Sequence, residues 1–243
     1  MAVRDQRMRR QHQALAALTR SDPFLRGDVE QALRAINRTA CTTLEVARSS
    51  IWLYDDEKTL IECKDLYVAA DDSHASGFTL RAADYPAYFR ALSAERTIAA
   101  ADAHTHPATQ EFSPGYLTPL GIHAMLDAPI FVAGRMVGVV CQEQTGGPRV
   151  WELDEELFVG SIADMVAMAL ESSRLSAAAA LAFLTFALRP ATPAAAMVNL
   201  ASCRGQVAVV GEVLRQCHAV LPLRQCAEPW GEPIDARGGR AQA

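Results

Sequence analysis

The 243-residue sequence lacks the excess of positive charge that nucleic-acid-binding proteins use. It carries 23 Lys and Arg against 28 Asp and Glu, a formal net charge of −5, whereas binding to nucleic acid depends on clustered basic side chains. Five Arg lie in the first twenty residues, but no apolar segment follows them, so the stretch is not a secretory signal. We interpret it as a solvated helix face and expect no nucleic-acid partner.

Long hydrophobic runs and paired cysteines are missing as well. The longest apolar run, residues 177–188, is much shorter than the roughly 20 residues of a membrane span. Without a span or a targeting signal, the sequence predicts a cytoplasmic protein. The six cysteines form no CxxC pair and no metal-ligand spacing, so we expect reduced thiols that behave as small hydrophobic residues.

The spacing of the apolar residues predicts helices at both ends and strands between them. One helix is predicted over residues 1–20 and a more amphipathic one over 28–47. A third, with an apolar stripe and three acids in its first turn, is predicted over 153–175. Between them the period becomes that of strands, interrupted by one short helix. This order indicates an α+β domain with an antiparallel sheet of five or six strands.

The sequence LDAPIFVAGRMVGVVCQE, residues 126–143, predicts a β-hairpin. Its two apolar runs flank a turn in which Gly134 supplies a positive φ. Neither run alternates cleanly between apolar and polar residues, so both faces of the sheet are covered. We expect the terminal helices to cover one face of the sheet. On the other face, we expect the helix at 85–95 and the loop at 103–119 to cover an apolar cavity. Gly138 predicts a bulge or a close approach of another backbone or a ligand.

Composition divides the chain into three parts. Residues 1–27 form an N-terminal helix and linker, residues 28–175 the central domain, and residues 176–243 an Ala-rich tail without Lys. The tail is predicted to be weakly ordered or disordered. A disrupted reading frame would also explain its composition.

Several segments, taken in order, resemble a GAF domain. They are SIWLYDD, DYPAYFRAL, IAAADAHTHPATQEF, the hairpin and the final helix, and together they cover roughly residues 28–175. The most similar type stands at the N-terminus of bacterial sensor histidine kinases and diguanylate cyclases. The resemblance implies a sensor in bacterial signal transduction that holds a small molecule between its sheet and the covering loops. It also implies a homodimer formed through the terminal helices and a signal passed to an effector, as in two-component systems.

Two ligand classes known in the family do not fit this sequence. Phytochrome GAF domains have an Asp-Ile-Pro motif, a Cys-His pair before a Tyr-Leu and a His at the end of the last strand. This chain has Asp84-Tyr85-Pro86 and Tyr116-Leu117, but Phe112 stands where the thiol would be and Glu143 replaces the His. We therefore reject covalent bilin attachment and predict no cofactor. The Asn-Lys…Phe…Asp-Glu signature of cyclic-nucleotide-binding GAF domains is also missing, so the ligand is unknown.

The candidate pocket residues are mostly aromatic, as in most small-molecule sites. We expect most of the aromatic side chains to be core and two or three of them to line a pocket. Helix N-capping fully explains Asp84, with a ligand contact as the alternative. Glu143 is proposed only for its place at the end of the last strand. The candidates are Trp52, Tyr54, Tyr67, Asp84, Tyr85, Phe89, Phe112, Tyr116, Leu117, Met125, Cys141 and Glu143.

A polar loop contains possible metal ligands. Asp102, His104 and His106 form a D-x-H-x-H pattern, with His123 further along, and imidazole with carboxylate can bind a divalent metal. Because the spacing is local and the stretch also carries turn residues, we interpret it as a solvated loop and predict no metal.

Two other functions remain open. A GAF-type free methionine sulfoxide reductase would need a low-pKa thiol with a resolving partner, whereas Cys63 and Cys141 are isolated in strands. We therefore predict no catalytic residues. The chain could also be a fragment of a sensor kinase or cyclase, because the tail contains no phosphoacceptor helix, ATP-binding box or Gly-Gly-Asp-Glu-Phe stretch. The effector would then act in trans.

Overall fold

The structure, a computed structural model, describes residues 2–187. The elements follow the predicted order of helix, strands, short helix, strands and long helix. They are α1 (Ala2–Leu18), α2 (Asp22–Arg26), α3 (Val29–Leu44), β1 (Arg48–Tyr54), β2 (Leu60–Val68), β3 (Ser73–Ala75), β4 (Thr79–Arg81), α4 (Pro86–Ala94), β5 (Ile98–Ala100), α5 (Thr118–Leu120), β6 (Ile122–Val132), β7 (Arg135–Thr145) and α6 (Leu153–Ala187).

The strands form one sheet in the order β3-β2-β1-β7-β6-β5, with β4 also paired to β2. Every pairing is antiparallel, which confirms the predicted α+β class. The sheet has seven strands because the three-residue strands β3 and β4 both pair with β2. The predicted hairpin is β6 and β7, and its turn has positive φ at both Ala133 and Gly134.

One face of the sheet, the back face, is covered by α3 and α6, and α1 packs against these two helices. Side chains of α3 such as Ile36 and of α6 such as Ile162 are fully buried against Leu126 and Ile130 of β6. Asp28 caps α3 by accepting a hydrogen bond from the Gln31 N–H at 3.1 Å. The terminal helices therefore lie on one face, as predicted.

The opposite face, the front face, is covered by α4 and by residues 101–121, which we call the front loop. A second apolar cluster, which we call the front cluster, joins Trp52 of β1 and Val139 of β7 to Leu92 of α4 and Leu117 of the front loop. The hairpin strands are thus apolar on both faces because each face has its own cover, as their sequence predicts.

Helix α1 packs on the domain rather than standing apart from it. Arg7 donates to both carboxylate oxygens of Asp154 in the first turn of α6, at 2.5 and 2.7 Å. Bidentate pairs of this kind are the strong form of charge-assisted hydrogen bond. Leu18, at the end of α1, is buried in the apolar cluster on the back face of the sheet, which we call the back cluster.

Helix α6 is longer than predicted. It continues to Ala187, so residues 176–187 of the predicted tail are helical, and the rest of the tail, 188–243, lies outside the described residues. Among the helices that the structure describes, α6 is the one with the length and apolar composition of a membrane span. Core helices of globular domains can have the same length and composition, and the inner face of α6 is buried against the sheet.

Two local predictions have different outcomes. Asp84 is not the N-cap of α4: the helix begins at Pro86 with Tyr85 as its cap, and the Ala87 N–H donates instead to Oε2 of Glu111 at 3.0 Å. Gly138 does mark a close backbone approach, because a Cβ there would lie 2.1 Å from the carbonyl oxygen of Trp52.

Candidate functional site

A small cavity lies between the front face of the sheet and the front loop. Its volume is about 10 Å³, room for no more than about one water molecule. The sequence predicted a hollow here, but aromatic side chains fill most of it. The lining residues are Trp52, Ile61, Leu80, Tyr88, Phe112, Tyr116, Met125, Cys141 and Glu143.

Phe112 lies at the centre of the aromatic side chains that fill the space. Its ring stacks on Tyr85 at a centroid distance of 4.2 Å and meets Tyr88 edge to face at 4.8 Å. Tyr116 lies further out, 6.1 Å away. These are favourable geometries for aromatic pairs, so packing of the front loop itself closes the hollow.

Hydrogen bonds within the front loop hold these rings in place. The Ala103 N–H donates to the carbonyl of His123 in β6 at 2.7 Å, and Thr109 Oγ1 donates to the carbonyl of Ala103 at 2.8 Å. The chain then forms a 3₁₀ turn and a π-helical turn, Ser113–Leu117, a type of turn often found at functional sites. Phe112 and Tyr116 reach the cavity from these turns.

Glu143 is the charged group in the cavity wall, and it is only 1% exposed. Its Oε1 accepts a hydrogen bond from the Tyr116 hydroxyl at 2.6 Å, and its Oε2 lies 3.1 Å from Nε of Arg48 on the neighbouring strand. Burial raises the pKa of the Glu143 carboxyl, although Arg48 and the Tyr116 hydrogen bond oppose this shift. Burial also raises the pKa of the Tyr116 phenol well above its usual value, so the phenol remains the donor.

A second polar group at the cavity joins the lining residues Tyr88 and Cys141 to Asp127. The Tyr88 hydroxyl donates to Oδ2 of Asp127 at 2.8 Å and lies 3.8 Å from Sγ of Cys141. Burial raises the pKa of Asp127 to about 8. Burial, together with the nearby Asp127, also raises the pKa of the Cys141 thiol well above its usual value.

The cysteines in the described part of the chain, Cys41, Cys63 and Cys141, are buried free thiols. Burial raises the pKa of Cys41 and of Cys63 to about 12. Because the thiolate is the reactive form, these thiols are protonated and poorly nucleophilic at neutral pH.

The D-x-H-x-H residues serve the loop in which they lie. Asp102 Oδ1 accepts the His104 N–H at 3.0 Å, Nδ1 of His104 contacts Ser113 Oγ at 3.0 Å, and Nδ1 of His106 accepts the Ala108 N–H at 3.3 Å. Within residues 2–187, no three His, Cys, Asp or Glu side chains are grouped so that they could hold a metal ion.

The structure brings half of the sequence-based candidates together at the cavity. Tyr54, Tyr85, Phe89 and Leu117 belong to the same front cluster but do not line the cavity. Asp84 is exposed at the surface. The candidates that line the cavity are Trp52, Phe112, Tyr116, Met125, Cys141 and Glu143.

Tyr67 lies on the wrong face for a pocket residue. It packs with the back cluster, and its hydroxyl donates to Asp72 at 2.9 Å. The reason is a β-bulge: Ile51 pairs with Asp65 but Trp52 pairs with Cys63, so Lys64 is an extra residue in β2. An extra residue reverses the alternation beyond it. Cys63 therefore faces the front and Tyr67 the back.

Three lining residues were missed: Ile61, Leu80 and Tyr88. Tyr88 and Leu92 are the buried positions of α4, four residues apart on one helix face. This spacing is a usable signal, but Tyr85 and Phe89 have the same spacing and obscure it. Leu80 lies opposite Ile61 because β4 pairs with β2, a contact that the sequence pattern does not show.

Comparison with known proteins agrees with this architecture. The sequence model described as "GAF domain" matches residues 28–170. A GAF domain from a phosphoenolpyruvate-protein phosphotransferase of Coxiella burnetii is 20% identical, with a TM-score of 0.55 over 71% of this chain and 96% of that one. The phycocyanobilin-bound GAF domain from a cyanobacterial phytochrome is 19% identical, with a TM-score of 0.57 over 68% of this chain and 96% of that one. At these identities the likeness is one of fold. A search of curated proteins finds no match.

Proposed function

Because the chain belongs to the GAF domain family, we propose that it is a non-catalytic module that senses a small molecule bound between the front face of its sheet and the front loop. The observation that carries this proposal is the cavity at that place, where one buried carboxylate lies among aromatic and aliphatic side chains. A mostly apolar wall with few polar groups is the usual composition of a small-molecule site.

Ligand entry requires the front loop to move, because the cavity holds about 10 Å³. The rings of Phe112 and Tyr116 belong to irregular helical turns of this loop rather than to the sheet. A ligand that prefers the open loop shifts the population from closed to open. This difference between the two states is what a sensor needs.

The proposal is tested by native mass spectrometry of protein purified without denaturation, followed by thermal unfolding in the presence of a library of small molecules. We expect a non-covalently bound mass, or a compound that raises the melting temperature, and we expect either effect to be lost when Met125→Trp fills the cavity. A protein that carries no bound mass and is stabilised by no compound would contradict ligand sensing.

The chemistry of the thiols supports a non-catalytic role. A sulfoxide reductase needs a thiolate, whereas burial raises the pKa of both front-face thiols, Cys63 and Cys141. Methionine sulfoxide reduction by the purified protein would contradict this part of the proposal.

We also propose that the protein forms a homodimer through α6. The outer face of this helix exposes Leu157, Met168 and Leu175, with Met168 53% and Leu175 71% exposed. The separations of 11 and 7 residues keep these side chains on one stripe, as in helices that pair with another helix. Signal output through a kinase or cyclase effector in trans stays a prediction. The cytoplasmic location also stays a prediction; the cysteines in the described part of the chain are free thiols, as is usual in a reducing compartment.

A further inference from the structure

Among the described residues, a single hydrogen bond reaches the buried carboxylate of Glu143, and its donor is the Tyr116 hydroxyl. Glu143 is buried in the cavity wall, and Oε1 is taken by Tyr116. Oε2 lies 3.1 Å from Nε of Arg48, yet neither atom has a hydrogen-bond partner among the described residues. Buried polar atoms in native proteins are almost always paired. The charge on Oε2 is instead opposed by the Arg48 guanidinium, and Oε1 is the oxygen at which one hydrogen-bond donor can replace another.

Tyr116 places a phenol of the front loop in the cavity wall, next to Glu143. Its ring lines the cavity, and its hydroxyl donates to Glu143 at 2.6 Å. The Arg48 guanidinium lies 5.8 Å from the centre of the same ring. A Cβ at the neighbouring Gly115 would meet no atom within 4 Å, so the outer side of the turn at this residue is open. Tyr116 is thus an internal phenol whose removal opens a ring-shaped space beside a carboxylate.

We propose that the cavity binds a small, uncharged aromatic molecule carrying one O–H or N–H donor, which hydrogen-bonds to Glu143 in place of the Tyr116 hydroxyl. This inference rests on the proposed sensing function and assigns it a ligand class. Binding then competes with closure of the front loop, because one carboxylate receives either the ligand or Tyr116.

The surroundings of Glu143 account for each part of this ligand class. Trp52, Tyr88 and Phe112 present aromatic surfaces, against which a flat ring packs in stacked or edge-on geometry. The negative charge of Glu143 is already opposed by Arg48. A cationic ligand would therefore be repelled by Arg48 and an anionic ligand by Glu143. A neutral ligand with a hydrogen-bond donor leaves the ion pair intact.

The test uses p-cresol, which is the side chain of tyrosine as a free molecule, and p-xylene, which has the same shape without the donor. Tyr116→Ala removes the internal phenol. We expect p-cresol to bind this variant about tenfold or more tightly than p-xylene, as a hydrogen bond to a charged acceptor allows, and to bind the wild type more weakly than the variant. Tryptophan fluorescence, to which Trp52 in the cavity wall contributes, and the shift in melting temperature report binding.

Further variants identify the acceptor. In Tyr116→Ala/Glu143→Leu, the preference for p-cresol over p-xylene should disappear. Tyr116→Phe keeps the ring and frees the carboxylate, so it should bind p-cresol more tightly than the wild type even if Tyr116→Ala fails to fold. Tyr67→Phe removes a hydroxyl on the back face and should leave the p-cresol affinity at the wild-type level.

The outcomes separate this inference from the proposed function. Equal binding of p-cresol and p-xylene, or a preference that survives Glu143→Leu, would overturn the inference. So would the absence of p-cresol binding by every variant while another compound stabilises the wild type, a result that leaves ligand sensing intact. If no compound binds the wild type or any variant, both proposals fail.

Discussion

The hydroxyl of Tyr88 in α4 lies 2.8 Å from Oδ2 of Asp127 in β6 and donates a hydrogen bond to it. Both side chains are buried, and this bond ties the short front helix to the sheet. The other oxygen of Asp127 has no hydrogen-bond partner within the described residues. The front cover is therefore held by a polar contact that is strong but incompletely satisfied.

Tyr88→Phe should destabilise the fold by about 1–3 kcal/mol, because it leaves a buried carboxyl without its donor. Urea denaturation measures the change in the free energy of unfolding. The matched control is Tyr67→Phe, whose hydroxyl contacts the exposed Asp72, and its loss should cost under about 1 kcal/mol. Equal losses of unfolding free energy in the two variants would show that the Tyr88 hydrogen bond contributes no more to stability than the Tyr67 hydrogen bond.

Asp127 should make the protein less stable as the pH rises from about 4 to about 8. Burial raises its pKa to about 8, so the folded state binds a proton that the unfolded state has already released above about pH 4. The stabilisation by the protonated form is complete below the unfolded pKa and is lost through this window, a change on the order of 5 kcal/mol. Asp127→Asn should flatten the dependence, measured by urea denaturation between pH 4 and 8.

Asp154 provides a contrast of opposite sign. The hydrogen bond from Arg7 lowers its pKa, so its contribution to stability is present above the unfolded pKa and is lost as the pH falls. Asp154→Asn should therefore alter the acid end of the stability profile and leave the slope between pH 6 and 8 in place. A wild-type profile that is flat between pH 4 and 8 would contradict the assignment for Asp127.

Gly138→Ala should destabilise the protein by about 2 kcal/mol or more, a strain of the size that overpacking produces. A Cβ at this position would lie 2.1 Å from the Trp52 carbonyl oxygen and 2.8 Å from Leu53 Cδ2, so β1 and β7 would have to separate. The control is Gly160→Ala in α6, where a Cβ meets nothing within 4 Å and helix propensity predicts a gain of about 0.5–1 kcal/mol. Thermal or urea unfolding measures the stability of both variants. If Gly138→Ala has no effect on stability, strands β1 and β7 can adjust to a Cβ at this position.

Met168→Glu/Leu175→Glu should convert the proposed homodimer to a monomer, because the charges would be buried at the interface without partners. Light scattering after size-exclusion chromatography measures the mass. Phe131→Glu introduces a charge at an exposed position of β6 rather than of α6, and this variant should remain dimeric. A wild-type protein that is monomeric at micromolar concentration would refute dimerisation through this helix.

Several site assignments depended on which face of its helix or strand each residue occupies. The sequence pattern proposed Trp52, Met125 and Glu143 as pocket residues, and these three side chains line the cavity. It placed Tyr67 on the wrong face because the extra residue Lys64 in β2 leaves no mark in a hydrophobicity pattern. It likewise assigned helix capping to Asp84, whereas the Ala87 N–H is satisfied from the front loop by Glu111.

The sequence by itself determined the family, the antiparallel sheet and the covering of both its faces, because local periodicity and an ordered series of motifs carry this information. Only the tertiary structure decided that the front loop closes over the sheet and that Tyr116 hydrogen-bonds to Glu143, 27 residues further along the chain. Contacts of this kind depend on side-chain packing between separate elements. Cavity size and an unpaired carboxylate oxygen arise from that packing, and no local pattern of residues encodes them.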